Sequence, residues 1–318
     1  MTQQQAQHTG QKGAKGISFS AIGGEFVGSF LIFLAIYLVS ALSPSLYGPS
    51  ALLVAAATGL AYAAMIFIFG KFSGGQFNPA VSLAAMLLGK TKVFSGICYI
   101  IAQVLGGIAA GAVTTLVLPT SKAAPAKMWL SNAVNGYDKG SISSSQLQQA
   151  GVNFGILFAV IVEVAASIII VAASVYSIGE DGKSTSHSPV IMGAVYALGV
   201  MFTYPITGSA LNPARSTGIA IFANNAGLAV KPLSQLLIFW ICPILAAAVV
   251  AIVIFISQMF SSKEPAQVTE ENAFADESEN SQSDYSENAE ETQLSEKAAD
   301  DAEKNETFNS FDIKPDED

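Results

Sequence analysis

An all-α membrane protein, with six transmembrane helices and two re-entrant half-helices in an inverted repeat, is what this sequence predicts. Three observations predict it. Six apolar runs lie at 20–42, 50–70, 94–118, 153–177, 189–207 and 233–259, each near the roughly 20 residues that a bilayer crossing needs. Two further apolar segments, 78–88 and 212–223, are too short to cross, and each opens with Asn-Pro. Finally, SGGQFNPAV at 73–81 and TGSALNPAR at 207–215 overlay in frame at an offset of 134 residues, so the chain repeats internally.

The six runs are bounded by breakers: Ser43-Pro44, Gly70-Lys71, Pro119, Gly179-Glu180-Asp181 and Lys231-Pro232. Proline and glycine clusters of this kind end helices. The stretch 119–152 is polar, rich in Gly, Ser and Gln, and reads as a long loop joining two halves of about 20–118 and 153–259. Each half is two spans, a half-helix and a third span. Three crossings per half start the second half on the opposite side, so the repeat is inverted about an axis in the membrane plane.

In each half-helix, proline at the first turn costs nothing, because its missing N–H would be unpaired there anyway. The preceding Gly74-Gly75 and Gly208-Ser209 are non-helical backbone. At membrane depth such backbone survives only in protein or beside a water-filled cavity. The two half-helices are expected to meet N-terminus to N-terminus near the midplane, with two positive dipole ends facing one path.

Composition divides the 318 residues into unlike materials. The chain is 51% hydrophobic and 12% charged, with a net charge of −9. Between 262 and 318, 19 acidic residues face four lysines, a net of −15; the rest of the chain carries a net of +6. The acidic stretch cannot bury enough apolar surface to fold. The expected organisation is a disordered tail at 1–18, a membrane domain at 19–260 and a disordered acidic tail at 261–318. Residues 1–18 lack an apolar core, so no secretory signal is read there. Counting lysines by side puts both termini in the cytoplasm of a multi-pass protein of the cell membrane.

Several function classes find no support. Cys98 and Cys242 lie in apolar runs and read as small buried hydrophobes. His8 and His187 lie in polar segments, and no metal or cofactor set is expected. Nothing basic clusters, which argues against nucleic acid as a partner. The membrane body holds no nucleophile elbow or histidine constellation, so an enzyme is not expected.

The two boxes, Glu25 in GGEFVGSF, Glu163 in VEVAAS and YIIAQVLGG at 99–107 together resemble the aquaporins, the major intrinsic protein family. The resemblance covers about 20–259 and is closer to water channels than to glycerol facilitators. It implies a passive water channel, working in a lipid bilayer as a homotetramer with one pore per subunit, that excludes protons and ions. It also implies that Asn78-Pro79-Ala80 and Asn212-Pro213-Ala214 line the pore. There the two asparagine amides donate to one passing water; a simpler reading has each asparagine only capping its helix.

Arg215 is the chain's one arginine, and its counterpart in the first half is Val81. The resemblance makes it part of a selectivity filter, and by residue count its companions are Thr58, Val200 and Ser209. Thr58 and Val200 replace the larger Phe and His of common water channels, so the filter should be wide enough for glycerol or other small neutral solutes. Ser216, Ala220, Phe239 and Trp240 match the water-channel pattern instead. Phe239 and Trp240 also suit an interfacial or lipid-facing place.

Glu25 and Glu163 are the two carboxylates within spans. One reading makes them a proton relay. The favoured reading is structural: each accepts hydrogen bonds from the irregular backbone beside its half-helix. Gln103 reads the same way. Small residues at Gly24, Gly28, Gly106, Gly107, Ala110 and Gly111 permit close helix packing, against this chain or another subunit. Two alternatives to a water channel stay open, a glycerol or small-solute facilitator and an ion- or proton-coupled secondary transporter.

Overall fold

The computed structural model describes residues 18–261. The tails expected at 1–18 and 261–318 lie almost wholly outside the described residues. The chain divides into two compact units, Met1–Ser257 and Gln258–Asp318, and the membrane fold belongs to the first.

In chain order the helices are α1 (Phe19–Leu46), α2 (Ala51–Ser73), α3 (Pro79–Leu87), α4 (Val93–Val117), α5 (Ala126–Leu130), α6 (Ser144–Gln149), α7 (Ile156–Ser177), α8 (Ser188–Thr207), α9 (Pro213–Ala223) and α10 (Pro232–Ser261). Six of them, α1, α2, α4, α7, α8 and α10, are long and apolar enough to cross a membrane. The two short apolar segments form α3 and α9. No strand occurs among the described residues.

Helix ends follow local chemistry. Ser18 and Ser50 cap α1 and α2 by accepting from Ala21 N and Leu53 N, and such caps contribute about 1 kcal/mol each. Gly74 and Gly208 end α2 and α8 in the left-handed conformation, at φ +86° and +71°, where a Cβ is costly. Lys90 donates to the carbonyls of Val175 and Ile178, tying the end of α3 to the last turn of α7.

Three expectations change. α2 does not stop at Gly70-Lys71 but runs to Ser73, where the left-handed Gly74 ends it. α1 does not stop at Ser43-Pro44 but runs through Pro44 to Leu46. Proline removes only the bond to Ser40 O, and Tyr47 N still closes the last turn on Ser43 O at 2.8 Å. The loop at 119–152 is more than a polar connector. It forms α5, α6 and a 3₁₀ turn at Asp138–Gly140, and it buries Trp129, Leu130, Ala133 and Val134. Asn135, Ser141 and Ser143 bond to carbonyls at 205–208, so this segment folds onto the end of α8.

α1 packs on α2 and α4, α2 on α8, α4 on α9, and α7 on α8. Lipid tails are as apolar as leucine, so these contacts depend on close fit rather than on escape from water. Glycines provide it. A Cβ on Gly59 of α2 would sit 2.5 Å from Gly193 O of α8, and one on Gly218 of α9 would sit 2.2 Å from Gly107 O of α4. The same approach settles what the small residues face. Gly106 lies against Phe26 O of α1, Gly107 against Ala214 O and Gly111 against Gly218 O, so all three serve packing within this chain. Large apolar side chains such as Leu60, Phe67, Leu157, Val190 and Leu237 point outward.

Candidate functional site

The site begins with backbone. The segment before each half-helix repeats conformation as well as sequence. Gly74 and Gly208, Gly75 and Ser209, and Phe77 and Leu211 all have positive φ, and each pair is 134 residues apart. Ser209, Phe77 and Leu211 are the unusual members, because a side chain in this region is strained. Such strain persists only where surroundings over-determine it.

The buried carboxylates do that. Glu25 accepts from Gln76 N at 2.9 Å, Phe77 N at 2.7 Å, the Ser73 hydroxyl and Gln103 Nε2 at 2.7 Å. Glu163 accepts from Ala210 N at 2.9 Å, Leu211 N at 2.8 Å and the Thr207 hydroxyl. Both glutamates are fully buried. Each gathers the outward-turned amides of one loop, groups that water does not reach.

The half-helices meet at their N-termini. Asn78 Oδ1 accepts from Ala80 N, and Asn212 Oδ1 accepts from Ala214 N and Arg215 N. Their amide groups cross between halves: Asn78 Nδ2 donates to Leu211 O at 3.0 Å and Asn212 Nδ2 to Phe77 O at 2.7 Å. Each Nδ2 donates once more, to a tyrosine hydroxyl. Asn78 reaches Tyr196 at 3.0 Å and Asn212 reaches Tyr62 at 2.9 Å. Pro79, Ala80, Pro213 and Ala214 are buried behind them.

On the side of α9, Thr58, Val200, Ser209 and Arg215 line one narrow cavity, together with Asn212 and both tyrosines. All four are buried. The room inside is that of about one water molecule. Thr58 Oγ1 is turned back onto Val54 O, and Ser209 Oγ accepts from Thr203 Oγ1. Arg215 is 2% exposed. Its Nη1 donates to Asn135 Oδ1, its backbone carbonyl accepts from the Tyr37 hydroxyl, and its guanidinium carbon stands 6.0 Å from the Tyr37 ring centroid. Ser216 Oγ shares Asn135 Oδ1. Phe239 is buried, and Trp240 is half-buried with its Nε1 donating to Thr217 Oγ1.

Asn135, Tyr62 and Tyr196 are the residues that reading the sequence missed. Asn135 lies in the loop, with no motif to mark it. It anchors Arg215 while donating to Thr207 O and Gly208 O. The tyrosines did leave a signal, since they too are 134 residues apart.

Helical spans in inverted halves, half-helices joined at their tips and a polar thread between them define a membrane channel. The Major intrinsic protein family profile matches residues 15–254, and the chain belongs to that family. Aquaporin Z of Brucella melitensis is 34% identical over 240 residues, which is 73% of this chain and 95% of that protein. Aquaporin Z of Photorhabdus laumondii is 34% identical over 196 residues, 62% of this chain and 78% of that protein. Among solved structures, the aquaglyceroporin from Plasmodium falciparum aligns with a TM-score of 0.55 at 20% identity, covering 74% of this chain and 92% of that one. At that identity the likeness speaks for the fold alone.

Proposed function

We propose that this protein is a passive water channel of the cell membrane that excludes protons and ions. The observation that carries the reading is the meeting of Asn78 and Asn212 across the two half-helix tips, on the path that Arg215 overlooks. Water following this path meets two positive dipole ends and then a buried guanidinium, both of which repel cations. A water that accepts from an asparagine amide is oriented by it, which interrupts proton hopping along the file.

In this reading Thr58, Val200, Ser209 and Arg215 form the filter, and Glu25 and Glu163 hold the two loops in shape. A coupled transporter would need a titrating group free to exchange. Both intramembrane carboxylates are instead taken up by loop amides and hydroxyls. The glycerol-facilitator alternative draws on the small side chains of Thr58 and Val200. Residues 19–260 form the channel domain, with both termini in the cytoplasm and four copies to an assembly.

Stopped-flow light scattering on purified protein in liposomes tests this reading. Under an impermeant osmolyte the vesicles should shrink faster than protein-free ones, with no dependence on a proton gradient. Shrinkage at the protein-free rate would remove the water-channel reading, and proton-dependent flux would restore the transporter. Chemical cross-linking in native membranes should give a ladder ending at four copies.

A further inference from the structure

Tyr62 of α2 and Tyr196 of α8 stack face to face, with ring centroids 3.4 Å apart and planes 7° from parallel. Both are buried to within 2%. Rings at van der Waals contact leave nothing between them for a solute. The pair sits one helical turn beyond the Gly59–Gly193 crossing, where the two backbones approach too closely for any side chain. That crossing fixes the distance between the helices and presses the rings together.

The hydroxyls complete the arrangement. An asparagine amide carries two hydrogens. At Asn78 one goes to Leu211 O and one to Tyr196; at Asn212 one goes to Phe77 O and one to Tyr62. The donors that would face a passing water are therefore held by the tyrosines. On one side of the pair lies the cavity with Thr58, Val200 and Arg215. On the other lies a second cavity reached by Ile66 and Met192, each one turn away from a tyrosine, with Gly75 and Val81. The path thus consists of two chambers with the ring pair between them.

We infer that Tyr62 and Tyr196 are the specificity-determining constriction of this channel, narrower than the ring formed by Thr58, Val200, Ser209 and Arg215. The inference rests on the channel reading above. A solute passes by turning one ring aside, and the amide that the hydroxyl releases is then donated to the water taking its place. Water needs one ring displaced. Glycerol, with three carbons and three hydroxyls, needs both rings displaced and both amide bonds broken at once. A filter built from small residues can thereby coexist with selectivity for water.

The test uses the full-length protein in liposomes, with water and glycerol fluxes measured for wild type, the Tyr62→Val/Tyr196→Val double variant and the Tyr62→Phe/Tyr196→Phe double variant. The valine pair should raise water permeability about tenfold, the factor expected from losing a stack and a hydrogen bond at the barrier, and should make glycerol flux measurable. The phenylalanine pair keeps the stack and frees both amides, so it should raise water flux by less and leave glycerol excluded. If the valine pair does not yield monodisperse protein, Tyr62→Leu, which keeps most of the volume, should show the same changes in lesser degree. A conducting wild type whose water and glycerol fluxes are unchanged by valine, or by leucine in its place, overturns the constriction and leaves the channel standing. A silent wild type removes the channel reading and the constriction with it.

Discussion

The loops and half-helix tips of the two halves share a backbone and differ in side chains. Both loops turn through left-handed residues at matching positions, both are gathered by a buried glutamate, and both half-helices start at a capped Asn-Pro. Within the two boxes five of nine positions differ. Val81 in the first half becomes Arg215 in the second, Gly75 becomes Ser209, and Glu25 has a glutamine partner, Gln103, that Glu163 has no match for. Symmetric residues shape the loops of both halves, while the charge of Arg215 is present only once. This follows from inverted repeats, in which whatever shapes the backbone must work from both faces.

Removing the symmetric supports should have the largest effect. Glu25→Ala orphans two loop amides and the Ser73 hydroxyl and leaves Gln103 Nε2 with Ser82 alone, whereas Glu163→Ala orphans two amides, the Thr207 hydroxyl keeping Thr203 O. Each buried unpaired group costs about 1–3 kcal/mol. Both variants should lose most monodisperse protein on size exclusion in detergent, and Glu25→Ala should lose more. Equal losses would mean that the Ser73 and Gln103 bonds add nothing to the first half. Next in size is Arg215→Val, which makes the second half resemble the first. A unit charge acting at about 7 Å through an effective dielectric near 20 contributes about 2 kcal/mol. Cation conductance in planar bilayers should therefore rise by roughly 30-fold. An unchanged conductance would place the cation barrier elsewhere.

A smaller change is expected from Thr58→Phe, which enlarges a side chain lining the same cavity as Arg215. Placed in the Tyr62→Val/Tyr196→Val background, where glycerol flux is measurable, it should lower glycerol flux more than water flux in liposome reswelling. Equal loss of both would show that Thr58 does not border the solute's path. The smallest effect belongs to Ser209→Gly. It relieves a side chain at φ +55°, a gain of about 1 kcal/mol, but gives up the bond from Thr203. The melting temperature in detergent should shift by only a few degrees. A large drop would reveal that the Thr203–Ser209 bond holds the second loop.

Much of this could be read from residue order alone. The six spans were legible because a bilayer demands long apolar runs, and the half-helices because Asn-Pro caps and starts a helix within two residues. Glu25 and Glu163 stood out as charges where charge is expensive. The end of α1 was misread, since Pro44 removes one bond near the end of a span and leaves the last turn intact. The loop at 119–152 looked merely polar, because Trp129 and Leu130 become core only when the segment folds back onto α8.

What the sequence determined by itself is therefore the local and the periodic: spans, caps, the non-helical stretch before each half-helix, the inversion of the repeat, and the one arginine that breaks it. Only the tertiary structure decided which buried partners meet. It turned the small-residue stripes toward this chain's own helices, gave Arg215 its anchor in Asn135, and laid Tyr62 on Tyr196. The physical reason is sequence distance. A cap or a turn is decided within a few residues, whereas Arg215 is 80 positions from Asn135 and the ring pair depends on where two helices cross.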